Sequence, residues 1–143
     1  MEIHVDDDGF VRAPAADCYR ALTDVASWAT LLPDTVVDAA GNDRFGLTLG
    51  PGRRPIRVDV EAGRWRHDVG FVLDCTGDLH GTAEFWLEPG WGGTVVHHLL
   101  HARTARASVA TRASYRRWLR AGLWSLKDQL QRAERDAQGV ALS

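Results

Sequence analysis

Apolar residues recur at every second position through most of the stretch from Thr35 to Arg103, and at steps of three and four from Thr111 to Gln138. The first period predicts strands and the second one long amphipathic helix. Breaks at Gly41-Asn42-Asp43, Gly50-Pro51-Gly52, Ala62-Gly63, Thr76-Gly77 and Pro89–Gly93 divide the strand region into six strands. No gap between them is long enough for a crossover helix, so neighbours must pair antiparallel. Ahead of them, Ile3–Pro14 reads as a first strand, bent or bulged at Asp6-Asp7-Asp8-Gly9. Pro14 then opens a helix carrying Tyr19, Leu22 and Val25 on one face, and a second short helix with Trp28, Leu31 and Leu32 is ended by Pro33. The expected order is β-α-α-β6-α: an α+β architecture with a curved antiparallel sheet of about seven strands wrapped round a long C-terminal helix.

Alternation also assigns faces. In the strand after Pro55, Ile56, Val58, Val60 and Ala62 point inward and Arg57, Asp59 and Glu61 outward. The next strand puts Trp65, His67, Val69, Phe71, Leu73 and Cys75 on the inner side, which makes His67 a polar exception there. Leu79, Gly81, Ala83, Phe85 and Leu87 share the inner phase of the following strand, with Trp86 outside. Both phases of the last strand carry valine and leucine, and the even one, Val96, His98, Leu100 and Ala102, is taken as inward over His97 and His101. The helix presents Tyr115, Leu119, Gly122, Leu126, Leu130 and Ala133 to the sheet and stops at Gly139. Its roughly 28 residues, at about 1.5 Å each, make a rod of about 40 Å, enough to cover the concave face.

A sheet bent round one helix does not fill its interior as fully as a two-layer sandwich, so a cleft for an apolar ligand is the natural by-product. The residues expected to line it are Tyr19, Trp65, His67, Val69, Phe71, Leu73, Phe85, Val96, His98, Leu100, Tyr115, Leu119, Gly122 and Leu126. His67 and His98 are the candidates for chemistry, since a neutral imidazole can orient a carbonyl or move a proton near pH 7. The plainer role for each is a core histidine satisfied by a backbone carbonyl or buried water. No carboxylate falls on the inner phase of the four best-defined strands, which argues against paired-acid catalysis.

Composition adds exclusions. A chain of 143 residues with 45% apolar content suits one domain spanning 1–143. A net charge of −2 and a pI near 6.3 do not suit a nucleic-acid binder. Cys18 and Cys75 form no CxxC pair and are expected as buried thiols. The acids at 6–8 lack the alternate spacing of a calcium loop, and His80 with His101 across a hairpin would lack a third ligand, so no metal is expected. No G-x-S-x-G occurs, Gly50-Pro51-Gly52 lacks a following lysine, and no cofactor motif is present. Without a signal-like N-terminus or a long apolar run, the expectation is a soluble cytoplasmic protein with no stable membrane insertion.

Three segments resemble the START-like or Bet v 1-like helix-grip superfamily, also called SRPBCC, which includes polyketide cyclases, aromatases and lipid-transport proteins. These are Val11–Asp24 with Trp28 beyond it, Gly77–Gly81 through Phe85-Trp86-Leu87-Glu88-Pro89 to Gly93-Thr94, and Gly122–Lys127. The resemblance implies a deep cavity between sheet and helix holding a lipid, an aromatic polyketide or another hydrophobic metabolite. Aromatase-like members commonly line neighbouring strand positions with a tryptophan, a serine and an arginine. The nearest stretch here is Trp65-Arg66-His67, without an inward serine and with Arg66 on the outer phase. Binding without catalysis is therefore the first expectation, and a cyclase, aromatase or dehydratase acting in the same cavity the second. A third is an interaction module using the run Arg103, Arg106, Arg112, Arg116, Arg117, Arg120 and Lys127, whose simpler reading is a solvated helix back paired with strand acids. Trp86, Trp91 and Trp124 are candidates for a homodimer contact.

Overall fold

In the computed structural model, which describes residues 1–39, 41, 43–50 and 54–142 (side chains of 39 and 140–142 excepted), the two hydrophobic periods become seven strands and a closing helix. The elements are β1 (Glu2–Val11), α1 (Ala15–Thr23), a 3-10 turn at Val25–Ser27, α2 (Trp28–Leu31), β2 (Thr35–Ala39), β3 (Arg44–Leu49), β4 (Ile56–Arg66), β5 (Gly70–Gly77), β6 (His80–Gly90), β7 (Gly93–Arg103) and α3 (Ser108–Leu142). They form one antiparallel sheet in the order β1-β7-β6-β5-β4-β3-β2, with β1 and β2 at its edges. Asn42, Pro51 and Gly52 of the expected breaks lie outside the described residues.

The even phase of β7 is the inner one: Val96, His98, Leu100 and Ala102 are all buried. Four expectations need correction. First, β1 is neither bent nor bulged at its acids, because its register with β7 runs unbroken from Glu2↔Arg103 to Val11↔Thr94. Gly9 lies beneath the helix: a Cβ there would stand 3.4 Å from the Leu123 Cβ, in contact with α3. Second, Ala62-Gly63 is not a turn. The register with β5 shifts between Gly63 and Arg66, a bulge, and the chain reverses only at 67–69. Third, α3 starts at Ser108 and passes through Gly139, which does not stop it. Fourth, Leu130 is half-buried and Ala133 exposed, so the apolar stripe fades toward the end of the helix.

The course of α3 explains that fading. The Arg112 Nε donates to the His4 carbonyl at 3.0 Å, Arg120 binds Asp7, Leu123 meets Gly9, and the Arg12 amide donates to the Gln131 Oε1 at 3.0 Å. From Arg112 to Gln131 is about 28 Å of helix, and from His4 to Arg12 about 27 Å of strand. The two elements therefore run side by side in the same direction, and α3 side chains satisfy backbone groups on the outer edge of β1. Beyond Gln131 the helix outruns the strand and has less to pack against.

Candidate functional site

Inside the grip, aromatic rings form a continuous file. Trp65 stacks on Phe71 at 5.1 Å between centroids, Phe71 meets Phe85 at 5.5 Å, and Phe85 meets His98 at 4.2 Å. Beyond His98 come Tyr115 at 5.8 Å and then Trp118 at 5.3 Å. Alternation in β5, β6 and β7 places Phe71, Phe85 and His98 on one face, and α3 delivers Tyr115 and Trp118 above them. Leu73, Val96, Leu100, Leu119 and Leu126 are buried in the same core, and Gly122 lies on the inner side of α3. Tyr19 is half-buried and joins the file by edge contacts to Phe71 and His67.

The outer end of this file differs from the expected one. Since the bulge delays the β4–β5 reversal, His67 sits in the turn with its side chain 86% exposed, 3.5 Å from Asp68, and does not point into the core. Trp65 and Val69 are 38% and 39% exposed at the same tip. Arg66 is exposed as well, so Trp65-Arg66-His67 places no guanidinium inside. Two buried residues of α3, Trp118 and Leu123, were missed by a stripe drawn along one line of the helix.

His98 and Tyr115 form the polar centre of the interior. The His98 Nε2 lies 2.6 Å from the Tyr115 hydroxyl, and both residues are buried. Among the described residues, the Nδ1 of His98 has no hydrogen-bonding partner. If Nε2 carried the proton, both Nδ1 and the tyrosine hydrogen would be left unmet. With the proton on Nδ1, the hydroxyl donates to Nε2 and one group remains unmet, so the count favours Nδ1–H as an unused donor. Burial pushes the His98 pKa down to about 3 against a smaller opposing pull from Asp7, and burial also raises Tyr115 well above its usual value. The pair is neutral near pH 7.

Asp7 is the carboxylate that the alternation argument overlooked. It follows Ile3 and Val5 on the inner phase of β1, opposite His98 in register, and its side chain is only 12% exposed. Both its oxygens accept from the Arg120 Nη1, at 3.1 and 2.9 Å. Although burial alone would raise its pKa, hydrogen bonds from the Asp8 amide and Arg120, with the charges of Arg120 and Arg116, hold it below the ordinary carboxylate value. An ionised acid so engaged is an electrostatic neighbour of His98 rather than a proton donor.

Among the described residues, the space beneath α3 is nearly filled. The space enclosed between α1, α2, β6 and α3, walled by Leu22, Leu32, Phe85, Trp118, Leu119, Gly122, Leu123 and Leu126, amounts to about 10 Å³. That is room for one water at most. Gly122 does not leave a hollow, because a Cβ there would stand 3.0 Å from the Leu32 Cδ2, which fills the place. At the β2 edge, Trp118 donates its indole N–H to the Thr35 hydroxyl at 2.8 Å, and that hydroxyl donates to the Pro33 carbonyl at 3.0 Å. These contacts fasten α3 to the segment after α2.

Other candidate groups are engaged elsewhere. Cys18 and Cys75 are buried free thiols whose pKa values burial raises to about 11. His80 pairs with Arg103 in the ladder and His101 with Thr82, so the two histidines are not directly opposed. Within the basic run, Arg120 meets Asp7, and Arg106 meets Asp78 at 3.2 Å and the Pro55 carbonyl at 2.7 Å. Trp86 stacks on His97 at 4.8 Å on the outer face of the sheet, while Trp91 and Trp124 are 76% and 69% exposed.

No family model and no curated protein matches the chain. Solved structures do. The crystal structure of Ara h 8.0201 superposes with a TM-score of 0.72 at 10% identity, covering 92% of this chain and 99% of that one. The Zhui aromatase/cyclase from Streptomyces sp. R1128 matches with a TM-score of 0.70 at 16% identity, over 96% of this chain and 98% of the other. The di-domain ARO/CYC StfQ from the steffimycin biosynthetic pathway gives 0.71 at 16% identity over 94% of this chain, which spans 52% of that larger protein. No described helix is long and apolar enough to cross a membrane.

Proposed function

We propose, from the helix-grip fold that this chain shares with Bet v 1-like and START-like proteins, that it binds a small, largely apolar molecule between sheet and α3, with one carbonyl or phenolic oxygen of the guest accepting from the Nδ1–H of His98. The observation that carries this reading is the unpartnered Nδ1 in an aromatic interior. Leaving such a donor unmet costs about 1–3 kcal/mol, and an oxygen-bearing guest would recover it. The aromatic character of this lining favours a guest that is itself aromatic.

An enclosed space of about 10 Å³ requires that the guest displace side chains. The segment carrying Leu32 and Thr35 is the element to move, because α2 has only four residues and no side-chain cap, and Trp118 holds the segment through one hydrogen bond. If one molecule in roughly a hundred is open, the observed affinity is about a hundredfold weaker than that of the open form. Catalysis takes second place, since Asp7 is ionised and held by Arg120 and the thiols are protonated. Tryptophan fluorescence titrated with flat aromatic ketones tests the reading. Saturable quenching that weakens about fivefold or more in His98→Gln is expected, while equal affinity in both proteins would remove His98 from the site.

A further inference from the structure

Outside this interior, the junction of β1 and α3 holds an open groove. One part, about 470 Å³, is bordered by Phe10, Leu123, Trp124 and Lys127, and it adjoins a second of about 870 Å³ where Arg12, Pro14, Pro89 and Arg135 meet the projecting end of α3. Phe10 and Lys127 belong to both parts. These volumes fall in the range of small-molecule sites.

The chemistry of the walls is uneven. The smaller part is mainly apolar, walled by Phe10, Leu123 and Trp124, and the Trp124 indole is 69% exposed with the Lys127 Nζ 4.9 Å from its ring. Among the described residues, Arg12, Lys127 and Arg135 have no carboxylate within 4.0 Å, unlike Arg120, which is tied to Asp7. Two acids also border the groove. Asp8 and Glu134 stand against the three cations Arg12, Lys127 and Arg135, so positive charge remains in excess. An uncharged apolar guest would leave those cations unanswered, and a purely ionic one would leave Phe10 and Trp124 exposed.

We propose that this groove binds a small amphipathic organic anion, whose apolar body lies between Phe10 and Trp124 and whose phosphate, sulfonate or carboxylate meets Lys127 and Arg135. The site is separate from the interior one, and neither depends on the other. Its occupant is a free amphiphile rather than a bilayer.

Octyl phosphate below its micelle concentration is the probe, with octanol as its uncharged counterpart and amide and indole NMR shifts of the full chain as the readout. Saturable shifts are expected at the Gly9 and Phe10 amides and the Trp124 indole N–H. The double variant Lys127→Gln/Arg135→Gln should weaken binding roughly tenfold, octanol should bind no better to wild type than octyl phosphate does to that variant, and His98→Gln should change nothing. Absence of shifts at millimolar octyl phosphate, indifference to the double variant, or shifts confined to the interior methyls of Leu119 and Leu126 would overturn the proposal. So would a response to phosphatidylglycerol vesicles with none to the free amphiphile.

Discussion

Acidification should destabilise this protein through one buried ring. An unfolded histidine titrates near 6.5, whereas burial holds His98 at about 3 in the folded chain. Between those values the unfolded state carries a proton that the folded state lacks, so stability rises with pH across the interval. The contribution of the neutral ring is complete above pH 6.5 and is lost as pH falls toward 3. At about 1.4 kcal/mol per unit, lowering pH from 7 to 4.5 removes about 2–3 kcal/mol, a large share of the stability of a domain this size. Urea unfolding at the two pH values, at constant ionic strength, measures the loss. His98→Gln is the control: its absolute stability will differ, but its drop between pH 7 and 4.5 should be smaller by about 2–3 kcal/mol. Asp7, whose pKa is lowered, adds stability that is full above the ordinary carboxylate range and is lost only as pH falls below it, and it is common to both proteins. Equal drops in wild type and variant, within about 0.5 kcal/mol, would show that His98 is not buried neutral and would refute the argument.

Three further outcomes follow from contacts. Leu126 is fully buried beneath α3, so Leu126→Ala should cost about 2–5 kcal/mol in chemical denaturation. Arg120→Gln should cost about 1 kcal/mol, less at high salt, because Arg120 is 65% exposed while Asp7 is only 12% exposed; adding Asp7→Asn to it should cost less than the sum of the single changes, as a double-mutant cycle will report. Thr35→Val removes the acceptor of the Trp118 indole, and amide exchange around Leu32 and Trp118 should quicken by roughly tenfold with little change at Leu100.

The parts of this architecture legible in the sequence are those where one period dominates. β4 alternates cleanly from Ile56 to Ala62; in β7 both phases are apolar, and only the slight excess of Val96, Leu100 and Ala102 on the even phase points to the inward place His98 takes. Tyr115 followed from the helical period, but its contact with His98 did not, because the crossing point of helix and strand depends on how far α3 is drawn toward β1. Local composition misled where a residue had two uses. Gly63 resembles a turn and sits at the start of a bulge, which carried Trp65, His67 and Val69 to the hairpin tip. The acids at 6–8 resemble a bend, yet Asp7 simply continues the phase of Ile3 and Val5, a signal that strict alternation would have supplied. A glycine at 122 suggests spare room on the helix face, yet Leu32, distant in sequence, occupies it.

The central claim is that the grip admits an apolar guest whose oxygen meets His98. Its most direct test is NMR of the protein labelled with 15N and 13C in the presence of 2-acetonaphthone, a flat ketone. Intermolecular NOEs are expected from the naphthyl protons to Phe85, Leu119 and Leu126, with a slowed, downfield-shifted Nδ1–H on His98. An interior unchanged at saturating ketone, with His98 exchanging as in the free protein, would contradict the claim.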